Sequence, residues 1–567
     1  MISIRNEGQL MEKIYYNGDI ITMKSETDNP ECVVTQNDTI IYTGSLNIAK
    51  EKYPDADMIN LKKCTLMPAF IDAHSHFFQT AQSINMCDLS ETGSFEDVKN
   101  TLKRYITDNK LTKDDMVFAS GYDHNFLLEH THPDKRLLDE VSKTIPIYIS
   151  HVSGHMGVAN QALLNLAGIT DSTPDPDGGK YGRMEDGTLS GYVEEIPALM
   201  NIIAPAMQRV KVDMPSQIKK AQELYLKYGI TTVQEGAASK EAAKAIVGLS
   251  EAGLINIDVV MYIMNEDYKE ACNELHAEKN NYNNHIKIGG AKIILDGSPQ
   301  GKSAWLSEPY EGEHTYCGYP SHDMQYVINA CEAAIKGNYQ LLAHCNGDAA
   351  SEQFIESYSK ALENVRTSYA GNIKANSEDS SENSEYANYD MISFAKNYRP
   401  VMIHCQTVRD DQLDRMVKLN MIPSIFVGHV YYWGDIHMKN LGRKRADRIS
   451  PVKSALKRGL VYNFHQDTPV TKPDMLHSIW CAVNRITRNG QKLSDKQCID
   501  VYDALKAVTI NAAYEYSEEN IKGTIEAGKK ADLVVLSDNP LKADRQKIKD
   551  IIVEKTIKDG VELYKRI

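Results

Sequence analysis

The chain has 567 residues, of which 42% are hydrophobic and 25% charged, and its formal net charge is -14. A chain of this length can bury a large core and form more than one domain. The acidic balance, without a long block of basic residues, argues against nucleic acid or an anionic membrane as a partner. No apolar run approaches the roughly 20 residues that span a bilayer, and the N-terminal residues lack the apolar core of a signal peptide. We therefore expect a cytoplasmic protein.

Short β-rich runs broken by turn residues occur at both ends of the chain. Near the N-terminus they are KIYYNGDIITM and ECVVTQNDTIIYTG, and near the C-terminus they are ADLVVLS and DIIVEKTIKDGVELYK. This pattern predicts one small β-sandwich domain that is assembled from both termini, over residues 1–66 and 521–567.

Between the two ends, short apolar runs alternate with segments of helical spacing. In chain order the eight runs are TLMPAFIDAHSH, GITTVQEG, IDVVMYIM, IGGAKIILDG, YQLLAHCNGD, RPVMIHCQ, MIPSIFVGH and LVYNFHQD. Such alternation is typical of βα units in a parallel sheet. Eight units predict an α/β fold of the (β/α)8 TIM-barrel type over residues 67–520, with its functional site at the C-terminal face.

Two segments interrupt this pattern. The stretch between the first and second runs is far longer than an ordinary loop and has β-rich runs of its own, so residues 77–220 are predicted to form an inserted α/β subdomain near the mouth of the barrel. The second segment includes NSEDSSENSEYANYD, which is rich in Ser, Asn and Glu. Such a composition predicts a flexible surface loop over residues 368–392.

Two histidines one residue apart end the first run, where PAFIDAHSH places His74 and His76. Residues two apart in a strand face the same side, so both imidazoles would point into the barrel. An HxH pair alone is a weak indication of a metal site, because two hydrogen-bonded histidines give the same pattern. His344, His404 and Asp467, however, lie at the ends of the fifth, sixth and eighth runs. Four histidines and a carboxylate on one rim predict a site for Zn, Mn, Fe or Co.

The fourth run, GGAKIILDG, carries Lys292, which by the same alternation faces the barrel interior together with Asp296. A lysine in that position is costly as a bare cation, and it needs a charged partner or a chemical modification. A charge paired with Asp296 or Asp467 is the alternative to a chemical modification, on the general rule that buried charges are paired. The sequence leaves both explanations open.

Several motifs recur in one order along the chain: PAFIDAHSH, GHMGVANQALLNLAGI, DGTLSGYVEE, KIILDGSPQGKSAWL, AHCNGDAA, IHCQ, HQDTPV and GTIEAGKKADLVVLSDNPL. Together they resemble the amidohydrolase superfamily, and specifically its YtcJ-like branch, also called amidohydrolase family 3. Each motif is short, but their order and spacing extend over nearly the whole chain. The branch includes N-substituted formamide deformylases, which suggests a substrate class. The resemblance also implies a metal-bearing barrel and a two-part β-domain.

The resemblance implies a ligand set, residue by residue. His74 and His76 would hold one divalent ion, and Asp467 would bind that ion or its water. His344 and His404 would hold a second ion, or would complete the first site if only one ion is present. The implied cofactor is one or two divalent ions, with zinc first among the candidates.

Lys292 matches the family's lysine on the fourth strand, which carbon dioxide can convert to a carbamate, a carboxylysine, that bridges two metals. The implied activity is that of an amidohydrolase, which hydrolyses a non-peptide carbon–nitrogen bond, most simply an amide, of a small molecule. A metal ion lowers the pKa of its bound water towards neutrality. Asp467 would accept the proton and pass it to the leaving nitrogen.

Four further residues in or near the matched motifs are candidates for binding substrate: His155, Asp296, Trp305 and His429. His155 belongs to a Gly-rich loop of the inserted subdomain, and His429 follows the seventh run. For either histidine a local hydrogen bond is an equally good explanation. Trp305 would form a wall of the pocket, although an aromatic residue in a loop often serves packing. Asp296 could instead orient Lys292 or a histidine.

Three questions stay open at this point. His465, in HQD, stands where many family members have a small residue, and it would narrow the pocket or add a proton-transfer group. The same metal and aspartate chemistry would also serve a deaminase of a heterocycle, and a catalytically silent, metal-binding regulatory protein is the alternative of another class. A homodimer is compatible with the sequence, which fixes neither the oligomeric state nor the substrate.

Overall fold

The computed structural model describes residues 12–152, 154, 156–209, 213–275, 281–375, 391–396 and 398–567. The chain divides into two compact units. The first unit runs to Thr80 and resumes with Ile218–Ile567, and the second unit is Ala81–Gln217. The sequence predicted an insertion over residues 77–220, a range that includes the second unit.

The first unit contains a parallel sheet of eight strands that follow one another in chain order, and we number these strands first to eighth. They are Phe70–Ile71, Ile230–Ala238, Asp258–Met264, Ile286–Ile294, Gln340–Cys345, Val401–His404, Ile422–Ile425 and Asn463–Phe464. Each of the eight predicted runs contributes one of them. Beyond the first and eighth strands, the Asp467 N–H donates to the His74 carbonyl at 3.1 Å and the His76 N–H to the Thr468 carbonyl at 2.8 Å. The parallel sheet is therefore curled, and the segments that follow its two edge strands are hydrogen-bonded to each other.

The first predicted run is divided between two sheets. Its beginning, Thr65–Pro68, pairs with Leu533–Leu536 in a sheet at the ends of the chain, whereas Phe70–Ile71 enters the parallel sheet. The predicted boundary at residue 67 thus falls inside a strand. Every residue of both strands is buried, so the apolar pattern is continuous and does not mark the point of division.

Two further sheets contain the β-rich runs of both ends. One has four strands, Glu12–Tyr16, Cys32–Gln36, Thr39–Gly44 and Asp57–Asn60, and the other has five, Asp19–Ile20, Thr65–Pro68, Leu533–Leu536, Val553–Lys558 and Val561–Lys565. The five-stranded sheet therefore joins strands from the beginning and the end of the chain. Val33, Leu66 and Leu533 share one buried apolar cluster, in which residues of both sheets pack together.

The α-helices are, in chain order, Leu46–Lys52, Phe77–Ser83, Phe95–Asp108, Lys135–Asp139, Gln161–Ala167, Ile196–Ile203, Met214–Lys227, Lys240–Glu251, Asn265–Leu275, Met324–Gly337, Asp348–Ala375, Met391–Ala395, Asp410–Lys418, His429–Tyr432, Gly434–Ala446, Val452–Lys457, Met475–Asn484, Val501–Ala507 and Ile510–Glu515. Short 3-10 helices span Ala204–Arg209, Asp495–Gln497 and Arg545–Asp550. Many begin at a polar residue that accepts a backbone hydrogen bond; the Ser239 hydroxyl, for example, accepts from the Ala242 N–H at the start of Lys240–Glu251. Such caps satisfy N–H groups that have no partner inside the helix.

The helix Asp348–Ala375 corrects one prediction. It extends through residues 368–375, the first part of the segment predicted to be a flexible loop, and the last part of that segment enters the helix Met391–Ala395. Residues 376–390 lie outside the described residues. None of the helices described is long and apolar enough to cross a membrane.

The second unit has its own mixed sheet of six strands. Their spatial order is Lys180–Arg183, Leu189–Glu194, Met156–Ala159, Ile147–His151, Val117–Tyr122 and Cys87–Asp88. Val117–Tyr122 and Ile147–His151 run parallel to each other, so their C-terminal ends lie at the same edge of the sheet.

Candidate metal centre

Three side chains meet beyond the C-terminal ends of the first and eighth strands. His74 and His76 follow the first strand, Asp467 follows the eighth, and the backbone hydrogen bonds between these segments hold them side by side. Asp467 Oδ1 lies 3.1 Å from His76 Nε2 and 3.6 Å from His74 Nε2. One nitrogen or oxygen from each residue lies within 4.8 Å of the other two. The predicted core of the site is therefore brought together.

These atoms fit a divalent metal ion. Ligands at about 2.0–2.1 Å from a tetrahedral zinc ion stand about 3.3–3.4 Å apart, which lies between the observed separations of 3.1 and 3.6 Å. Asp467 Oδ1 is buried and accepts no well-aligned hydrogen bond from the described residues. An ion would satisfy an oxygen that is otherwise costly to bury.

The charge states of two of these residues, His74 and Asp467, also suit a metal ion. His76 differs, because burial lowers its pKa but Asp467 outweighs burial and raises it. Burial, reinforced by the nearby Lys292 ammonium, holds the pKa of His74 well below its usual range. Burial opposes the ionisation of Asp467, but the neighbouring histidines outweigh it and hold the pKa of this carboxyl well below its usual range. Neutral imidazole and ionised carboxylate are the forms that bind a metal.

His404 and His344 extend the site. His404 Nε2 lies 3.9 Å from the second oxygen of Asp467, Oδ2, and the ring centroids of His344 and His404 are 4.5 Å apart. His404 Nδ1 lies 3.2 Å from His465 Nε2, and His465 Nδ1 lies 2.9 Å from Ser424 Oγ. His465 is completely buried. It contacts His404 and orients that ring.

Lys292 is buried beside the first histidine, with its Nζ 3.4 Å from His74 Nε2. The ion pair that the sequence left open as an alternative is not formed among the described residues. The ion pairs of Asp467 are with histidines, and that of Asp296 is with His344. Burial lowers the pKa of Lys292 to about 8, although Asp467 opposes that shift. An appreciable fraction of the amine is therefore uncharged near neutral pH.

Asp296 holds His344 in place. Its oxygens accept hydrogen bonds from the backbone N–H groups of Trp305, Asn346 and Gly347 at 3.0, 3.0 and 2.7 Å, and Oδ1 lies 3.2 Å from His344 Nδ1. These contacts use the four lone-pair sites of the carboxylate. No oxygen is left for a substrate, so the substrate-binding assignment of Asp296 gives way to a positioning role.

His429 is buried at the start of the helix His429–Tyr432. Its Nδ1 lies 3.1 Å from His437 Nε2, and its ring packs against Phe426 and Trp433 with centroids 4.8 and 4.6 Å away. Burial, with a smaller contribution from His437, holds the pKa of His429 well below its usual range. The ring is therefore neutral, and its contacts account for one of its two nitrogens.

The remaining substrate-binding candidates are Trp305 and His155. Trp305 is partly exposed, and its backbone joins the site because its N–H donates to Asp296 and its carbonyl accepts from Ala349 at 3.1 Å. His155 lies outside the described residues.

Two buried polar residues behind His74 were not selected from the sequence. Gln234 Oε1 lies 2.5 Å from His74 Nδ1, and Gln234 Nε2 donates to the Ala73 carbonyl at 2.6 Å and to Glu515 Oε1 at 3.2 Å. Burial raises the pKa of Glu515 to about 8. Gln234 stands near the end of the predicted second run, GITTVQEG, although the strand continues to Ala238. Its place in that run was the available signal; Glu515, in a late helix, had none.

The similarities to known proteins extend over nearly the whole chain. The sequence model of the amidohydrolase family matches residues 57–564. The amidohydrolase YtcJ of Bacillus subtilis (strain 168) is 25% identical, over 98% of this chain and 100% of that protein. The N-substituted formamide deformylase of Arthrobacter pascens is 23% identical, over 98% of this chain and 99% of that protein.

Solved structures show the same fold. An uncharacterized metal-dependent hydrolase from Pyrococcus horikoshii OT3 superposes with a TM-score of 0.72 at 24% identity, over 94% of this chain and 99% of that chain. A similar protein from Pyrococcus furiosus gives a TM-score of 0.71 at 24% identity, over 94% and 100% of the two chains.

Proposed function

The chain belongs to the amidohydrolase family, and on this premise we propose that it is a metal-dependent hydrolase that cleaves a non-peptide carbon–nitrogen bond, most simply an amide, of a small molecule. The observation that carries the proposal is the convergence of His74 Nε2 and His76 Nε2 on Asp467 Oδ1, a buried oxygen without a well-aligned hydrogen bond. The name of the Arthrobacter pascens relative supports an N-substituted formamide or a related amide as the substrate class.

His74, His76 and Asp467 would hold the first divalent ion, with zinc the leading candidate and Mn, Fe or Co the alternatives. His344 and His404 would hold a second ion or complete the first site. A bound ion of this kind supplies Lewis acidity and lowers the pKa of a water molecule towards neutrality.

Asp467 is the proposed general base. Asp467 Oδ1 faces His76 and His74, and Oδ2 faces His404. While one oxygen contacts the candidate metal ligands on its side, the other would be available to a water molecule. Asp467 would take the proton from the attacking water and deliver it to the leaving nitrogen as the carbon–nitrogen bond breaks. Trp305, His429 and His155 remain proposed contacts of the substrate.

Lys292 is proposed to carry a carbamate that bridges two ions. Its lowered pKa, about 8, supports the proposal because only the uncharged amine can attack carbon dioxide. Reconstitution with metal in the presence and in the absence of bicarbonate tests it. Equal metal content and equal activity in both preparations would leave Lys292 as a free amine.

The proposed function is tested on protein that has been stripped of metal and reconstituted with Zn²⁺, Mn²⁺, Fe²⁺ or Co²⁺. We expect release of amine from a panel of N-formyl and N-acyl amides only after reconstitution. Asp467→Asn should lower kcat by about 10²–10⁴-fold, because the general base is lost, while circular dichroism stays unchanged.

Each other outcome has a distinct meaning. Turnover by Asp467→Asn within a few-fold of wild type would contradict the base assignment. Release of ammonia from an aminated heterocycle, with no reaction of the amides, would identify a deaminase. A protein that binds metal but turns over neither panel would support the regulatory alternative.

A further inference from the structure

A second group of histidines and a carboxylate lies at one edge of the six-stranded sheet in the second unit. Asp123 and His124 follow the strand Val117–Tyr122, and His151 is the last residue of the parallel strand Ile147–His151. The register pairs His151 with Tyr122. Because the two strands are parallel, their C-terminal ends bring these three side chains together.

The distances within this group are those of a ligand set. His124 Nδ1 lies 3.1 Å from His151 Nε2, and Asp123 Oδ1 lies 3.6 Å from His151 Nε2 and 3.9 Å from His124 Nδ1. The three atoms form a compact triangle. Its sides are close to the separation of about 3.3–3.4 Å that ligands of a tetrahedral zinc ion show.

The surroundings hold these side chains in place. Asp123 Oδ1 accepts hydrogen bonds from the backbone N–H and the side-chain amide of Asn125, both at 2.9 Å. The ring of His132 stacks on that of His124 at a centroid distance of 4.0 Å, and His132 Nδ1 lies 3.0 Å from Tyr122 Oη. An anchored carboxylate and a packed ring reduce the conformational entropy that binding an ion would otherwise cost.

The group is poised to bind a cation. Burial and the neighbouring His151 lower the pKa of His124, so the ring is neutral at pH 7. Burial opposes the ionisation of Asp123, but His151 and Asn125 outweigh it and lower the pKa of this carboxyl. The side chain of His124 is 27% exposed, which leaves a path for the ion from solvent.

We propose that Asp123, His124 and His151 form a second metal site, for a divalent transition-metal ion of the zinc class, with water completing the coordination. A hydrogen bond between the two imidazoles is the alternative explanation of the 3.1 Å contact. That contact alone does not explain why Asp123 Oδ1, which accepts hydrogen bonds from Asn125, also faces both rings from the third corner of the triangle.

The test uses the full-length protein, stripped by a chelator and dialysed against Co²⁺, which replaces Zn²⁺ and absorbs visible light in tetrahedral sites. Cobalt per chain is measured by plasma mass spectrometry, and the visible spectrum is recorded. In a His74→Asn/His76→Asn background, which lacks two ligands of the first site, we expect about one Co²⁺ per chain to be lost on adding His151→Asn or, separately, His124→Asn.

The matched control is His130→Asn. His130 is an exposed histidine of the same loop with a φ of 51°, a conformation that asparagine adopts readily. This variant should bind as much cobalt as its background. Because His124 is partly exposed, His124→Asn should fold even if His151→Asn does not, and circular dichroism checks both.

A second measurement uses proteins in which His74 and His76 are unchanged. Zn²⁺ should raise the thermal midpoint of the wild type more than that of His124→Asn, since an ion that binds only the folded state stabilises it. The proposal would be overturned if His124→Asn and His151→Asn bound as much cobalt as their parents and showed the same rise of the thermal midpoint with Zn²⁺. The group would then be a hydrogen-bonded histidine pair.

Discussion

A single buried amide determines which nitrogen of His74 faces the candidate metal centre. Gln234 Nε2 donates to the Ala73 carbonyl and to Glu515 Oε1, and it lies 3.2 Å from Tyr516 Oη. Turning the amide over would place its oxygen against the Ala73 carbonyl, which can only accept a hydrogen bond. Gln234 Oε1 therefore faces His74 Nδ1 and accepts a hydrogen bond from its N–H. The lone pair is then on Nε2, the nitrogen nearest Asp467.

We predict that Gln234→Leu weakens metal binding by about 10–100-fold, the usual effect of losing a residue that orients a ligand histidine. The cause is that His74 Nδ1 loses its acceptor, so that the other tautomer, which carries a proton on Nε2, becomes accessible. The measurement is the dissociation constant for Zn²⁺ in a competition assay with a chromophoric chelator.

The matched control for Gln234→Leu is Gln412→Leu, which removes another completely buried amide, one that bonds the Asp348 carbonyl and Glu352. Both variants should lose stability to denaturant, but only the first should lose affinity for zinc. Equal zinc affinity in Gln234→Leu and wild type would remove the proposed role of Gln234 in fixing the tautomer.

At the scale of the element, strand ends of unusual conformation shape the site. His404 and Asp467 have φ values of 72° and 54°, in the left-handed region that side chains other than glycine rarely adopt. Such strain costs of order 1–3 kcal/mol and persists where surrounding structure imposes it. Both residues are candidate ligands, so the strain coincides with the place where side chains must turn towards one centre.

The second strand approaches His74 closely, and we predict that Gly236→Ala displaces this ring. A Cβ at Gly236 would lie 2.7 Å from His74 Nδ1 and 2.9 Å from Gln234 Oε1, closer than these atoms can pack. Because both atoms belong to the network that orients the ring, we expect metal content to fall well below that of wild type.

The control for Gly236→Ala is Gly248→Ala, in the helix Lys240–Glu251, where an added Cβ meets nothing within 4 Å. That substitution should leave metal content unchanged and raise stability by about 0.4–1 kcal/mol. A full complement of metal in Gly236→Ala would show that His74 can move without loss of the site.

On the scale of the whole molecule, a buried cluster of charges joins the parallel sheet to the five-stranded sheet. Asp258, at the start of the third strand, has its Oδ2 2.6 Å from Lys522 Nζ and 3.1 Å from Lys558 Nζ. Lys522 Nζ also lies 3.1 Å from Glu518, and Lys558 Nζ lies 3.3 Å from Asp532. The side chains of all five are at most 9% exposed, so each depends on its partners.

We predict that Asp258→Asn lowers the free energy of unfolding at pH 7 by about 3–5 kcal/mol, because it leaves buried lysines without their full countercharge. Burial opposes the ionisation of Asp258, but Lys522 and Lys558 hold its pKa well below the usual range. A carboxyl whose pKa is lower in the folded state stabilises the protein at any pH above its unfolded-state pKa, which is about 3.9 for Asp. That stabilisation is lost as the pH falls from there towards the folded-state pKa.

The difference between Asp258→Asn and wild type should therefore be constant near neutral pH and shrink below about pH 4. Denaturant unfolding followed by circular dichroism at several pH values measures it. Glu562→Gln is the control. Glu562 pairs with Lys555, and their side chains are 40% and 30% exposed. Such an exposed pair contributes less than about 1 kcal/mol. Equal losses in the two variants would contradict the account of the cluster.

The sequence alone predicted the α/β fold, the eight strands of the parallel sheet and the family. It also selected five side chains that the structure brings together beyond the strand ends. These features rest on local patterns, because apolar runs of strand length alternate with helical segments, and His74, His76, His344, His404 and Asp467 stand at or just beyond run ends. An apolar run of strand length between turn residues indicates a buried strand from the local pattern alone, so its position can be predicted without knowing which strands it pairs with.

Tertiary structure alone decided which side chains support that site. Gln234 and Glu515 are 281 residues apart and meet only because a late helix packs against the second strand. Asp296 shares the apolar fourth run with Lys292, yet the backbone N–H groups of distant loops occupy its oxygens. The same holds for Asp123, His124 and His151, whose meeting depends on two strands being parallel. Contacts across long sequence separations depend on how elements pack, and no local pattern records that packing.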